Sequence, residues 1–255
     1  MSLIFLMSLL LLQTPDDVTT AIGVDQKLGA RLDPNIPFRD ENGETVKLGD
    51  FFRGKPIILT PVYFECPMLC SMQLNGLVRA MRVMPFTAGK EFEIVTFSID
   101  PAEGFELASS RKQHYVRDYQ RPEGAAGWHF LTGDAESIRK LTDEIGFRYK
   151  YDEPVKQWAH VSTVLVLTQD GRVSQYFYGI EQDPGDLKYS LIEASGGKIG
   201  SVIDQALLFC YQYNASTGKY SLMIMRVVRL ASLAMVLGIV GFWALGSRKK
   251  KGVLG

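Results

Sequence analysis

The chain has 255 residues, and its 28 lysines and arginines equal its 28 aspartates and glutamates in number. This balance gives no electrostatic reason to expect nucleic acid as a partner. Three cysteines are too few for a disulfide-stabilised scaffold, so a close pair of cysteines would indicate metal or redox chemistry instead.

The first residues of the chain are apolar. Residues 3–12 resemble the hydrophobic core of a secretory signal, although no lysine or arginine precedes them. We therefore assign residues 1–15 to a signal-like segment and residues 16–200 to one folded domain, which is long enough to bury a sizeable core. Within that domain, residues 16–31 lack periodicity and are expected to form an extended lead-in.

The rest of the domain alternates strand and helix patterns. Asn42-Gly43 predicts a tight hairpin turn within residues 38–48, with positive φ angles at both residues. Further predicted strands are residues 56–64, 92–99, 128–132, 161–167 and 173–178; further predicted helices are residues 67–84, 105–119, a segment capped by Asp134, and 184–194. Asp170-Gly171 joins the last two strands as a second hairpin. This order predicts an α/β fold with a central mixed sheet and flanking helices.

The C-terminal part of the chain predicts a membrane anchor. Residues 201–220 are expected to be a linker, residues 221–247 a transmembrane helix and residues 248–255 a basic tail. Residues 230–245 are an uncharged apolar run, and Arg229 is expected to lie near the membrane interface. A helix that is apolar on every face and followed by four basic residues is typical of a membrane span. The positive-inside rule then places the tail in the cytoplasm and the folded domain on the outer, periplasmic or extracytoplasmic, side.

Two cysteines, Cys66 and Cys70, lie between a buried strand and a helical pattern. Pro67 suits a first helical turn, because that turn does not use the N–H that proline lacks. Residues four apart on a helix have Cβ atoms about 5–6 Å apart, so both sulfurs can reach one ion or each other. The positive end of the helix favours thiolate, the form that binds metals and attacks disulfides. This placement favours metal or redox chemistry over two buried structural cysteines.

At this point the sequence resembles a known family, the Sco/SenC proteins. The resemblance runs over residues 37–194 and rests on Cys66-Pro67-Met68-Leu69-Cys70, Ser98-Ile99-Asp100-Pro101, Leu131-Thr132-Gly133, and His160 before the second hairpin. It implies a thioredoxin-like fold and a copper site formed by Cys66, Cys70 and His160. It also implies copper delivery in cytochrome c oxidase assembly, with an oxidase subunit or another copper acceptor as the partner.

Two positions depart from the family pattern. Many relatives have an acidic residue directly after the motif proline and another shortly before the histidine. Here those places hold Met68 and the pair Trp158-Ala159. We expect copper binding to survive these changes, and partner recognition or ligand tuning to differ.

The donor types agree with copper. Thiolates suit Cu(I) and imidazole suits copper generally, so a set of two cysteines and one histidine can hold Cu(I), Cu(II) or both. Zinc, the alternative ion, would usually take a fourth ligand in a closed structural site. The other candidate residues are expected to have no part in metal binding. We expect His129 and His114 to be structural or solvated, and Met68 and Met72 to pack against neighbouring residues. Cys210 is expected to be a buried small hydrophobic residue and Glu65 a solvated loop carboxylate.

Three functions remain open from the sequence. The first is a membrane-anchored copper chaperone that binds and transfers the ion. The second is a thiol-disulfide oxidoreductase that uses Cys66 and Cys70 as a redox pair and acts on the cysteines of the copper acceptor. The third, a thiol peroxidase, shares the fold but needs one activated cysteine and gains nothing from two at this spacing. The three-residue spacer and the separate histidine favour the chaperone.

Overall fold

The computed structural model describes residues 21–66, 69–199, 213–214, 219–220 and 235. The chain divides into two compact units, residues 1–200 and 201–255. The predicted signal-like segment, transmembrane helix and basic tail lie outside the described residues, apart from Met235. No helix in the part that the structure describes is long and apolar enough to cross a membrane.

The first unit alternates strands and helices as expected. Its described strands are β1 (Gly23–Val24), β2 (Pro37–Arg39), β3 (Thr45–Lys47), β4 (Ile57–Val62), β5 (Glu93–Ser98), β6 (Trp128–Leu131), β7 (Phe147–Arg148), β8 (Lys150–Asp152), β9 (Gln157–Ala159), β10 (Thr163–Leu167) and β11 (Val173–Tyr178). Its described α-helices are α1 (Leu69–Val83), α2 (Phe105–Tyr119), α3 (Ala135–Glu144) and α4 (Pro184–Ser195), and 3-10 turns span Leu48–Phe51 and Pro122–Gly127.

Five strands form the central sheet in the order β11-β10-β4-β5-β6. Strands β4, β5 and β6 run parallel, while β10 pairs antiparallel with both β4 and β11. Every residue of β4, β5, β6 and β10 is buried, which explains why these strands appear in the sequence as nearly continuous apolar runs. Helix α1 packs against α2 and α4, and α4 also packs against β10 and β11. The predicted mixed sheet with flanking helices is therefore confirmed.

A proline ends the pairing between β4 and β10. The last pair in this ladder is Leu59 with Leu165, and the same register would place Pro61 opposite Thr163. The carbonyls of Pro56 and Val62 accept hydrogen bonds from the β5 side, so even-numbered residues of β4 direct their backbone N–H and C=O groups toward β5. The backbone groups of odd-numbered residues therefore point toward β10. Pro61 has no N–H to offer there, and the sheet loses its ladder at the end of β4 nearest the cysteines.

The first hairpin differs in detail from the prediction. Its strands end at Arg39 and resume at Thr45, so five residues form the loop. Among Asn42 and Gly43, only Gly43 has a positive φ angle, at 84°. The Asp40 carboxylate accepts hydrogen bonds from the backbone N–H groups of Asn42 and Glu44, and these bonds stabilise the longer loop.

Four short strands in the described part of the first unit were not predicted. Strand β7 pairs with β1, and β8 forms a hairpin with β9. These strands have two or three residues and no clear alternation, so tertiary packing stabilises them rather than local propensity. In the β8–β9 hairpin, Tyr151 packs edge-on against Trp158, and Tyr149 lies against the same indole. This hairpin leads directly into His160.

Helix boundaries follow local signals closely. Asp134 caps α3 by accepting a hydrogen bond from the backbone N–H of Ser137, as expected. Asp183 caps α4, and Gly197 follows that helix with a φ angle of 71°. Helix α1 lies very close to the loop after β11, since a Cβ atom on Gly76 would stand 1.8 Å from the carbonyl oxygen of Ile180. This contact fixes the position of the helix that carries Cys70.

The second unit is described at few positions. Tyr213–Asn214 pairs antiparallel with Lys219–Tyr220. These two short strands lie within the predicted linker.

Candidate functional site

Cys66 ends a tight turn that follows β4. Its backbone N–H donates to the carbonyl of Tyr63 at 3.3 Å, so the chain reverses within four residues of the strand. Its side chain is buried, with 8% of its surface exposed. Tyr63 is buried beside it, and burial together with a side-chain hydrogen bond to Cys66 raises the pKa of the Tyr63 phenol.

Cys70 is the second residue of α1. Its backbone N–H donates to Sγ of Cys66 at 3.4 Å, so the first sulfur accepts a hydrogen bond from the first turn of the helix. Cys70 is more deeply buried than Cys66. A side-chain hydrogen bond with Cys66 and burial both raise the pKa of the Cys70 thiol. The predicted placement of two thiols at a strand-to-helix junction agrees with these positions.

His160 reaches Cys70 from the far end of the β8–β9 hairpin. Its Nε2 atom lies 2.9 Å from Sγ of Cys70, and its Nδ1 atom lies 3.0 Å from the carbonyl oxygen of Val161. A carbonyl only accepts, so Nδ1 carries the hydrogen and Nε2 presents its lone pair to the thiol. The rings of Tyr63 and Phe147 pack against the imidazole, each with its centroid 5.9 Å away.

This donor set suits a soft metal ion. Two sulfurs and an imidazole that presents its Nε2 lone pair to one of them match the preferences of copper. The hydrogen bond from Nδ1 to a backbone carbonyl is the usual arrangement of a metal-binding histidine. Among the described residues, no group of three or more His, Cys, Asp or Glu side chains is arranged to hold a metal ion. Binding an ion with all three donors would therefore need a rearrangement of side chains.

A buried glutamine connects the two halves of the site. Gln73 lies one turn after Cys70 on α1 and is fully buried. Its Nε2 donates to the carbonyl of Thr163 at 2.8 Å. That carbonyl lies opposite Pro61 in the register of the sheet, so the side chain of Gln73 supplies the donor that proline lacks. Gln73 thus joins the cysteine helix to the strand that follows His160.

A buried glutamate holds the turn before Cys66. The carboxylate of Glu103 accepts hydrogen bonds from the backbone N–H groups of Phe64 and Glu65, at 2.8 and 2.7 Å. The hydroxyl of Ser98 donates to the same carboxylate. Burial raises the pKa of Glu103, and this effect outweighs the opposing effect of those hydrogen bonds.

The other histidines lie away from the thiols. His129 is buried at the start of β6, where its Nε2 lies 3.4 Å from Glu93, and His114 is exposed on α2 near Asp118. Both positions agree with the structural or solvated roles expected for them.

The remaining candidates are placed as follows. Met72 is exposed, with a relative accessibility of 45%, which contradicts the packing role expected for it. The side chain of Glu65 is exposed, as expected, while its backbone N–H donates to Glu103. Met68 and Cys210 lie outside the described residues.

Sequence reasoning missed Gln73 and Glu103. Gln73 occupies an ordinary helical position, and Glu103 reads as an acid just before a helix start, where solvated carboxylates are common. The one sequence signal for Gln73 was Pro61, a proline inside a strand pattern. Because proline has no N–H, a carbonyl on the neighbouring strand must find its hydrogen-bond donor elsewhere.

Comparison with known proteins identifies a family to which the chain is related. The SCO1/SenC family matches residues 24–193, two thirds of the chain. A candidate electron transfer protein from Aquifex aeolicus VF5 is similar at 26% identity, covering 68% of this chain and 96% of that one, with a TM-score of 0.59. No curated protein matches the chain.

Two further solved structures share the fold. Arabidopsis thaliana ScoI with copper bound is similar at 19% identity, covering 67% of this chain and 99% of that chain, with a TM-score of 0.52. BsSco, a member of the Sco family of cytochrome c oxidase assembly proteins, is similar at 19% identity, with 68% and 99% coverage and a TM-score of 0.52. The fold is therefore thioredoxin-like, as expected, and the chain belongs to the SCO1/SenC family.

Proposed function

We propose that this protein is a membrane-anchored copper chaperone that binds one copper ion through Cys66, Cys70 and His160. The observation that carries the proposal is the 2.9 Å contact between Sγ of Cys70 and Nε2 of His160. It joins a thiol to an imidazole lone pair across 90 residues of sequence. The family membership and the copper-bound relative from Arabidopsis support the same reading.

The copper ion is cargo, and the protein's part is to hold it and then release it. Two thiolates favour Cu(I), and the imidazole extends the set toward Cu(II). Both sulfurs must lose their protons to bind the ion, so binding releases protons. Transfer then proceeds as the acceptor's ligands replace these three one at a time. An open site with three donors allows such an exchange better than a closed site with four.

We propose a copper acceptor of cytochrome c oxidase as the partner, on the outer side of a membrane. The relative BsSco belongs to a family of oxidase assembly proteins, which supports this choice. The uncharged apolar run of residues 230–245 and the basic residues that follow it support an anchor whose tail is cytoplasmic.

A thiol-disulfide oxidoreductase is the second candidate. The hydrogen bond from the Cys70 N–H to Sγ of Cys66 favours it, because it shows that the two thiols are neighbours. The deep burial of Cys70 and its raised pKa argue against a reactive thiolate at that position in the metal-free protein. The contact with His160 is also unnecessary for exchange between two sulfurs.

Elemental analysis tests the chaperone function. The full chain is purified in detergent, reduced, loaded with Cu(I) and washed, and copper is measured per chain. We expect one copper in the parent and in Cys210→Ser, a control that removes the thiol outside the pair. We expect none in Cys66→Ser/Cys70→Ser. Equal copper in the parent and the double variant would contradict the proposal, whereas rapid disulfide exchange without copper would favour the oxidoreductase.

A further inference from the structure

Glu103 differs from the other buried glutamates. Three glutamates are buried among the described residues, namely Glu41, Glu93 and Glu103. Glu41 forms an ion pair with Lys112 and Glu93 forms one with Lys55. In the described part of the chain, the hydrogen-bond partners of Glu103 are two backbone N–H groups and one hydroxyl, with no lysine or arginine. A buried carboxylate without a cationic partner is costly to the fold.

We propose that Glu103 is a positioning residue that fixes Cys66 for metal binding. The carboxylate holds the N–H groups of Phe64 and Glu65, the two residues directly before Cys66. The same residues form the middle of the turn that closes with the hydrogen bond from Cys66 to Tyr63. Glu103 therefore determines where the first sulfur lies.

Glu103 is itself held by Ser98 at the end of β5 and by Asp100 in the loop after it. Ser98 is the last residue of β5, and its hydroxyl holds the carboxylate. The backbone N–H of Glu103 donates to the carbonyl of Asp100 at 3.2 Å, so the residue is held at both ends. The turn that carries Cys66 is thus fastened to the neighbouring strand of the sheet. Outer partners of this kind orient the atoms that bind a metal.

The negative charge of Glu103 would also affect metal binding. Two thiolates near an uncompensated carboxylate would repel one another, and a metal cation between the sulfurs would offset that repulsion. Glu103 would then favour a bound cation as well as the right geometry. This part of the inference rests on the proposed copper function, whereas the positioning of Cys66 does not.

Two variants separate geometry from charge. Glu103→Asp keeps the charge but is one methylene shorter, so it cannot hold both N–H groups in the same way. Glu103→Gln keeps the length, removes the charge and turns an N–H₂ group toward one of the two donors. Glu93→Gln is the matched control, because Glu93 is buried at the opposite end of the same strand, β5.

Alkylation of the metal-free full chain in detergent tests the positioning. Rates at Cys66 and Cys70 are measured separately by mass spectrometry of peptides. We expect both Glu103 variants to accelerate alkylation of Cys66 about five-fold, the effect of losing roughly one hydrogen bond, with Cys70 changed less than about two-fold. Glu93→Gln should leave the ratio of the two rates unchanged. Equal acceleration at both thiols, or none, would overturn the positioning role.

Copper binding completes the test. Competition with a chromophoric Cu(I) chelator should show about ten-fold weaker binding in both Glu103 variants, with the larger loss in Glu103→Gln. If the parent binds no copper, the chaperone function fails, but the alkylation ratio still decides the position of Cys66. If neither Glu103 variant folds, Ser98→Ala loosens the same carboxylate, and an unchanged alkylation ratio in that variant would count against the inference.

Discussion

The imidazole of His160 lies against the thiol of Cys70, with 2.9 Å between Nε2 and Sγ, although 90 residues separate them in the chain. The hydrogen bond from Nδ1 to the carbonyl of Val161 fixes the ring so that its lone pair faces the sulfur. This arrangement prepares two donors before any ion arrives.

Gln73 joins α1, the helix that carries Cys70, to Thr163, three residues after His160. We predict that Gln73→Met lowers the free energy of unfolding by about 1–3 kcal/mol, because it leaves the buried carbonyl of Thr163 unpaired. Pro61→Ala supplies a backbone N–H opposite that carbonyl. The double variant Pro61→Ala/Gln73→Met should therefore recover most of the loss, measured by denaturant unfolding. A double variant no more stable than Gln73→Met would show that the proline is unrelated to the role of Gln73.

A second prediction concerns acid stability. Burial would raise the pKa of Glu93, but hydrogen bonds and charges from His129 and Lys55 together lower it below its usual 4.5. A lowered pKa stabilises the folded protein at pH values above the usual pKa, and the stabilisation is lost as pH falls through the folded value. The stability difference between the parent and Glu93→Gln should therefore shrink as pH falls from about 6 to about 3.

The measurement is urea unfolding across that pH range. Glu153→Gln, which replaces an exposed carboxylate on the β8–β9 hairpin, is the control and should show little difference at any pH. A difference for Glu93→Gln that stays constant or grows toward acid would contradict the assignment.

A third prediction concerns membrane orientation. Residues 248–251 are four consecutive basic residues, and the positive-inside rule places them in the cytoplasm. In a background without the three native cysteines, Glu136→Cys on the exposed face of α3 should react with a membrane-impermeant maleimide in intact cells. Lys250→Cys should react only after lysis. The reverse pattern would invert the topology, and equal labelling before lysis would argue against a membrane barrier between the two positions.

Much of the fold could be predicted from local pattern. Strands β4 and β5 could be predicted because each is an apolar run with a proline close to one end. Helix α2 has the predicted bounds, because its apolar periodicity and its flanking residues indicate the same ends. The β8–β9 hairpin could not be predicted, since three-residue strands carry no periodicity and depend on Trp158 packing between tyrosines. Asn42 lacks the expected positive φ because Asp40 stabilises a longer loop.

Some residues of the candidate site could be predicted from the sequence and others could not. Cys66 and Cys70 are visible in the sequence through their spacing at a strand-to-helix junction. His160 could be assigned only through resemblance to a family, because no local pattern links it to residues so distant. Glu103 looks like a solvated acid in the sequence, whereas in the structure it is buried and accepts hydrogen bonds from two backbone N–H groups and one hydroxyl.

The measurement that tests the copper site most directly is metal binding by His160→Ala. The full chain in detergent is titrated with Cu(I) and Cu(II), and His114→Ala, which removes an exposed imidazole from α2, serves as the control. We predict that His160→Ala loses more than about ten-fold in Cu(II) affinity and less in Cu(I) affinity, because two thiolates alone suit Cu(I) better. The disulfide exchange rate of Cys66 and Cys70 should stay close to that of the parent. Parental binding of both ions by His160→Ala would contradict the three-donor site.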